Sequence, residues 1–259
     1  MALADVEVLV PGSPEEAVSA FGDGRDVLVV AGGTIVMPEL SAGRLRPRRA
    51  MLLGRAGLAF VVRSDGTVTI GAATPVAALE DGDEPLATAA RHLADGEVRA
   101  QATLGGNLCA PPWPETPTGD LQAPLLVLEA RVRSAGADGE RTEPLETFLG
   151  QSRDRLLLDV SYDDVPRRTG YAASWRPHAV HRTILAVAAA EREGELRVAA
   201  TGLAPRAVRL RAVEQSRDPA DALVGVDPSD DALASGWYRA RQLPGLLEQA
   251  LAAVAEGAA

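Results

Sequence analysis

The chain has 259 residues, 46% hydrophobic and 24% charged, with a formal net charge of −10, a length that suits one large or two modest domains. All 26 basic residues are arginine, which excludes lysine Schiff-base chemistry and a lysine-containing P-loop, and the single cysteine, Cys109, excludes an internal disulfide, a multi-cysteine zinc site and a four-thiolate iron–sulfur cluster built by this chain alone. The acidic balance without a basic tract argues against nucleic acid, and no apolar run approaches the ~20 residues that membrane insertion needs.

The first residues carry no basic leader followed by an apolar stretch, so a cytoplasmic location is expected. Val6–Val10 reads as a strand, Pro14 opens a helix through Phe21, and Asp26–Val30 is a second strand that breaks at Ala31-Gly32-Gly33-Thr34. Strand-like pieces follow at Ala50–Leu53, Leu58–Arg63 and Val68–Ile70, the last two joined by an Asp65-Gly66 hairpin signal. A helix is expected over Glu84–Ala94 and another over Asp120–Leu128. Arg131–Arg133 and Thr142–Pro144 flank a glycine turn as paired strands, Leu156–Val160 is a closing strand, and Ser161–Gly170 reads as a linker. Beyond it, Tyr171–Ser174, Thr183–Ala189 and Leu196–Ala200 suggest a small antiparallel sheet, backed by a helix at Val208–Gln215 and a helical stretch Gly236–Val254 interrupted by Pro244.

Two glycine loops carry the chemistry. A strand ending in Gly-Gly-Thr brings main-chain N–H groups close to a ligand and suits phosphate, although a lone A-G-G-T is more often an ordinary tight turn. The second loop, Thr103-Leu104-Gly105-Gly106-Asn107-Leu108, repeats the logic with a hydroxyl before and an amide behind. Neither fits G-x-G-x-x-G, which disfavours a Rossmann site.

The order of A-G-G-T-I-V-M-P at 31–38, I-G-A-A-T at 70–74, V-R-A-Q-A-T-L-G-G-N-L at 98–108 and G-D-L-Q-A-P at 119–124 resembles the FAD-binding medium subunits of molybdenum hydroxylases, the carbon monoxide dehydrogenase and xanthine dehydrogenase flavoprotein family. Y-A-A-S-W-R at 171–176 and L-R-V-A-A-T-G-L-A-P at 196–205 extend the resemblance over nearly the whole chain. It implies an α+β protein: a two-part FAD-binding domain over 1–163, with α/β subdomains of about 1–54 and 55–163, and a small C-terminal domain over 168–259. It also implies FAD held at its diphosphate by Ala31, Gly32, Gly33, Thr34, Ile35 and Val36 and by Thr103, Gly105, Gly106 and Asn107. Asp120 would bond the ribityl or isoalloxazine end, and Thr74 is either a further cofactor contact or a strand-capping threonine. No general acid or base is required from the chain, because a flavin performs its own redox step. The implied partners are an iron–sulfur small subunit with [2Fe–2S] clusters and a molybdopterin large subunit. A stand-alone flavin oxidoreductase and a non-enzymatic scaffold that has lost FAD are the alternatives.

Other residues carry weaker signals. Cys109 reads as a small buried hydrophobe, and His92, His178 and His181 are too scattered for a metal cluster. Tyr171 or Trp175 could cover the flavin ring or pack the small domain, and Arg197 is either a basic residue facing the flavin or a surface strand arginine. The acidic Glu80–Glu84 run reads as a solvated turn. Pro111–Glu115 is a proline-rich stretch between Asn107 and Asp120.

Overall fold

Short apolar strands bounded by turn residues pair into three sheets, arranged in two compact units. The computed structural model describes residues 6–111, 119–151, 154–176 and 182–257. His178, His181 and residues 112–115 of the proline-rich stretch lie outside them. The first unit contains the described residues up to Val76, with Ala100–Cys109 and Ala130–Asp164; the second contains Ala77–Arg99, Ala110–Glu129 and the chain from Val165 onward. The expected division at about residue 165 is therefore crossed by two stretches, 77–99 and 110–129, that fold with the C-terminal half.

In chain order, β1 (Glu7–Leu9), α1 (Pro14–Phe21), β2 (Val27–Val30), α2 (Val36–Ser41) and β3 (Arg49–Leu52) build a three-stranded parallel sheet, ordered β1-β3-β2. The Ser13 hydroxyl accepts the Glu16 N–H and Pro14 fills the first helical position, which starts α1 where the sequence places it. Met51 of β3 is fully buried and shares a core with Ala17 and Phe21 of α1. β4 (Val61–Ser64) and β5 (Thr67–Gly71) form the expected hairpin, with both Asp65 and Gly66 at positive φ.

The chain then contributes α3 (Leu86–His92) to the second unit and returns through α4 (Gly96–Gln101) to α5 (Leu104–Leu108) in the first. α6 (Gln122–Val127) belongs to the second unit and is buried on every side, so it lacks the polar face of a surface helix. β6 (Arg131–Gly136), β7 (Gly139–Pro144), α7 (Leu145–Gln151) and β8 (Leu156–Asp163) complete the first unit, whose five-stranded antiparallel sheet is ordered β4-β5-β8-β6-β7.

β9 (Arg168–Trp175), β10 (Thr183–Arg192), β11 (Glu195–Thr201) and β12 (Val208–Arg209) form an antiparallel sheet ordered β12-β11-β10-β9, backed by α8 (Arg211–Ser216) and α9 (Gly236–Glu256). Leu185, Val187, Val198 and Ala200 share one core with Val213 of α8 and with Leu243, Leu247 and Ala250 of α9. α6 also packs against β10 and β11. The α+β class holds, with its small antiparallel sheet and helices.

Three local expectations are corrected. The Ser161–Gly170 linker shrinks to 164–167, because β8 and β9 extend their ladders into it. The helix expected from Val208 begins at Arg211, after Val208 and Arg209 pair with Ala200 and Ala199. Pro244 does not interrupt α9, which runs unbroken from Gly236 to Glu256. Proline removes one main-chain bond, but buried Leu243, Leu246, Leu247, Ala250 and Val254 clamp the helix on both sides of it.

Candidate functional site

The first glycine loop leaves β2 at Val30 and turns into α2 at Val36. Gly33 has φ +74°, a left-handed conformation that a side chain disfavours, and its carbonyl accepts the Met37 N–H at 2.9 Å. Among the described residues no acceptor takes the main-chain N–H groups of Gly33, Thr34 or Ile35. Successive N–H groups of this kind make an anion-binding concavity without a cation. All residues from Ala31 to Val36 are partly exposed, so the turn is open to a ligand.

The second loop is a short helix rather than an open turn. The Thr103 hydroxyl caps α5 by accepting the Gly106 N–H at 3.1 Å. Leu104 N–H donates to the Thr74 carbonyl, Gly105 N–H to the Ala72 carbonyl and Asn107 N–H to the Thr103 carbonyl. The main-chain donors of Leu104, Gly105, Gly106 and Asn107 are thus satisfied within the protein, unlike those of the first loop. What it presents outward is Gly106, which is exposed and whose added Cβ would meet only the Thr103 hydroxyl, at 3.0 Å. A glycine there admits close approach of a ligand from outside.

Main-chain packing brings the two loops together. A Cβ on Gly32 would lie 1.9 Å from the Gln101 carbonyl oxygen and 3.0 Å from the Ala102 Cα, so the first loop rests directly on the backbone leading to Thr103. A Cβ on Gly105 would lie 2.9 Å from the Ala72 carbonyl, which places α5 against the I-G-A-A-T segment. Three of the four motifs singled out in the sequence therefore meet in the first unit. Thr74 is buried and its hydroxyl is spent on the Phe60 main chain, accepting the N–H at 3.0 Å and donating to the carbonyl at 2.9 Å. Asn107 is buried and Cys109 partly exposed.

Asp120, of the fourth motif, belongs to the second unit, where it is buried. Gly119 beside it accepts a long bond, 3.4 Å, from the Thr201 hydroxyl, and the Gln122 side chain accepts the Ala207 N–H. Burial first, and the Asp120 charge second, push the Tyr171 phenol well above its ordinary value, so it stays protonated. The His92 ring stacks on Trp175 at 4.9 Å and on Tyr171 at 6.2 Å between centroids. His92 Nδ1 sits 2.7 Å from the Thr88 carbonyl, which can only accept, so that nitrogen carries a proton. The Trp175 indole N–H is buried without an acceptor among the described residues. The His92 stack has no sequence signal, since a lone histidine at a helix end shows no partner in the chain order.

Arg197 is a surface strand arginine. Its guanidinium is committed to Glu129 at 3.0 Å and Glu195 at 2.6 Å. No group of three or more His, Cys, Asp or Glu that could hold a metal ion occurs among the described residues, and none of their helices is long and apolar enough to cross a membrane.

Residues 4–161 match the family described as the FAD binding domain in molybdopterin dehydrogenase. The chain is similar to the 6-hydroxypseudooxynicotine dehydrogenase complex subunit alpha of Paenarthrobacter nicotinovorans, 27% identical over 95% of this chain and 93% of the relative. It is similar also to the carbon monoxide dehydrogenase medium chain of Hydrogenophaga pseudoflava, 25% identical over 95% of each. Among solved structures, a chain of Cu,Mo-CO dehydrogenase superposes with a TM-score of 0.85, at 20% identity over 99% of this chain and 100% of that one, a likeness of fold.

Proposed function

The chain belongs to the family of FAD-binding domains of molybdopterin dehydrogenases, and from that premise we propose that it is the FAD-binding electron-transfer subunit of a cytoplasmic molybdenum hydroxylase-type dehydrogenase. The observation that carries the reading is the seating of Gly32 on the Gln101 backbone. It seats the first loop, with its open N–H groups at Gly33, Thr34 and Ile35, against the backbone that leads into Thr103 and the exposed Gly106.

These residues suit a diphosphate. Three main-chain N–H groups without acceptors among the described residues offer charge-assisted bonds to anionic oxygens, which replaces the lysine that this chain lacks. Thr103 and Gly106 form the second wall, the hydroxyl capping α5 and the glycine allowing close approach. Asp120 is given to the ribityl hydroxyls by the family resemblance alone, and a carboxylate suits them because it accepts several bonds. When bound, FAD supplies the redox chemistry between the iron–sulfur clusters of a small subunit, fed by a molybdopterin large subunit, and an external acceptor. The relatives' names support the partner part of this reading, since they are a complex subunit alpha and a medium chain. The single cysteine supports it too, leaving cluster ligation to another chain.

The test is purification of the full chain, with and without the products of neighbouring genes. The expected result is a yellow protein with one FAD per chain, displaced competitively by ADP, that co-purifies with iron–sulfur and molybdenum subunits. A chain that takes up no FAD in either preparation refutes the reading. One that binds FAD and oxidises a small molecule without partners is a stand-alone flavoenzyme.

A further inference from the structure

We propose that Thr74 is a positioning residue, which sets the second glycine loop and thereby governs cofactor affinity without touching the cofactor. The inference rests on the reading that the two loops hold the FAD diphosphate.

A threonine hydroxyl has one hydrogen to donate, and that of Thr74 goes to the Phe60 carbonyl while the Phe60 N–H donates back to the same oxygen. With 2% of its surface exposed, Thr74 offers a ligand neither a donor nor an accessible face. Its main chain is occupied as well. The Thr74 carbonyl accepts the Leu104 N–H at 3.0 Å, flanked by the Val76 N–H on the Ala102 carbonyl and the Gly105 N–H on the Ala72 carbonyl, both at 2.8 Å. These bonds lay 72–76 antiparallel along 102–105, with Pro75 opposite Thr103. The Thr74 hydroxyl thus adds a side-chain tie between this strip and the residue preceding β4, beside the main-chain bonds of the Gly71 N–H to the Phe60 carbonyl and the Ala73 N–H to the Leu58 carbonyl. Because Gly32 packs on Gln101 and Ala102, immediately before Thr103, a slip at Thr74 is transmitted to both loops. Rigid main-chain packing carries such a displacement where flexible side chains would absorb it.

The experiment compares the full chain with Thr74→Val, which keeps the shape and removes both hydroxyl bonds, and Thr74→Ser, which keeps them. Two quantities are read: amide hydrogen exchange at Leu104 and Gly105 in the FAD-free chain, and the dissociation constants for FAD and ADP. The valine variant is expected to speed exchange at both amides and to weaken FAD and ADP alike by ~10-fold, while serine restores both. Thr74→Ala, which leaves room for water on the Phe60 groups, replaces valine if that variant does not fold. FAD affinity lost with Leu104 exchange unchanged would mean direct contact and overturn the proposal, as would unchanged affinity. Failure of the wild-type chain to bind FAD refutes the functional reading instead, and the exchange data then still decide whether Thr74 fixes the loop.

Discussion

Gly32→Ala is the sharpest perturbation of the site, because the atom it adds has nowhere to go. The new methyl would lie 1.9 Å from the Gln101 carbonyl oxygen and 2.7 Å from its carbon, both main-chain atoms that cannot swing aside. Relief to a tolerable 3.0 Å separation requires the first loop and the strip before Thr103 to part by about 1 Å. Over-packing of this kind costs ~1–3 kcal/mol of stability, or about 2–4 °C of melting temperature per kcal/mol in a chain of this size. Parting the loops also misplaces the N–H groups of Gly33, Thr34 and Ile35. Loss of one charge-assisted bond, about 1.5–3 kcal/mol, is roughly 10- to 150-fold in affinity. The assay is titration of FAD into the apo chain followed by flavin fluorescence, with thermal unfolding of the same samples. Gly54→Ala is the control, since a Cβ there meets nothing within 4 Å. A Gly32→Ala chain with wild-type FAD affinity and melting temperature would refute the reasoning that these loops form one site by close packing.

Three further outcomes are expected. Gly106→Ala adds a methyl to an exposed position whose only near neighbour is the Thr103 hydroxyl; apo stability should hardly change while FAD affinity falls ~10-fold or more, and equal affinity would remove the second loop from the cofactor surface. Arg197→Ala should cost no more than ~1 kcal/mol, with FAD affinity and visible spectrum unchanged, because Glu129 and Glu195 are its partners; an altered flavin spectrum would return Arg197 to the site. Glu191, beside Arg217 and Arg168, is held below its ordinary carboxylate value by the Arg217 hydrogen bond first, so its stabilisation is complete above the unfolded value near 4.5 and is lost as pH falls through the lowered folded value. Glu191→Gln should therefore destabilise the chain at neutral pH and flatten the acid limb of its stability curve, and an unchanged acid limb would deny the carboxylate that role.

Local patterning made much of the fold legible. Pro14 behind Ser13, the Asp65-Gly66 turn and the apolar Thr183–Ala189 run each fix their elements by nearest-neighbour physics, and the structure realises them. The failures have tertiary causes. α5 was hidden because Gly105 and Gly106 have poor helix propensity, and the helix survives through the Thr103 cap and the bonds to Ala72 and Thr74. Pro244 promised a break that packing of α9 prevents, and α6 carries no amphipathic signal because it is covered all round. At the site, the glycines were visible as a pattern but not their division of labour. That the first loop keeps its N–H groups open while the second spends them internally depends on residues 72–76, distant in sequence. The sequence likewise could not show that stretches 77–99 and 110–129 leave the N-terminal half, since neither helical composition in the first nor a proline-rich run before an apolar helix in the second names the sheet it packs on.

The interleaving of the two units orders events on the ribosome. β5 pairs with β8, Thr67 opposite Asp163 and Gly71 opposite Asp159, so one edge of β5 waits until the chain has passed through both of its excursions. The strip that aligns the glycine loops is anchored to the same closing strand, where Ala72 N–H donates to the Leu158 carbonyl. Long-range pairing of this kind pays its loop-closure entropy before it gains contacts, which makes closure slow and leaves strand edges exposed meanwhile. The nascent first half therefore keeps one edge of β5 unpaired until residue 163 emerges, and the strip beneath the glycine loops is among the last parts of the first unit to be fixed.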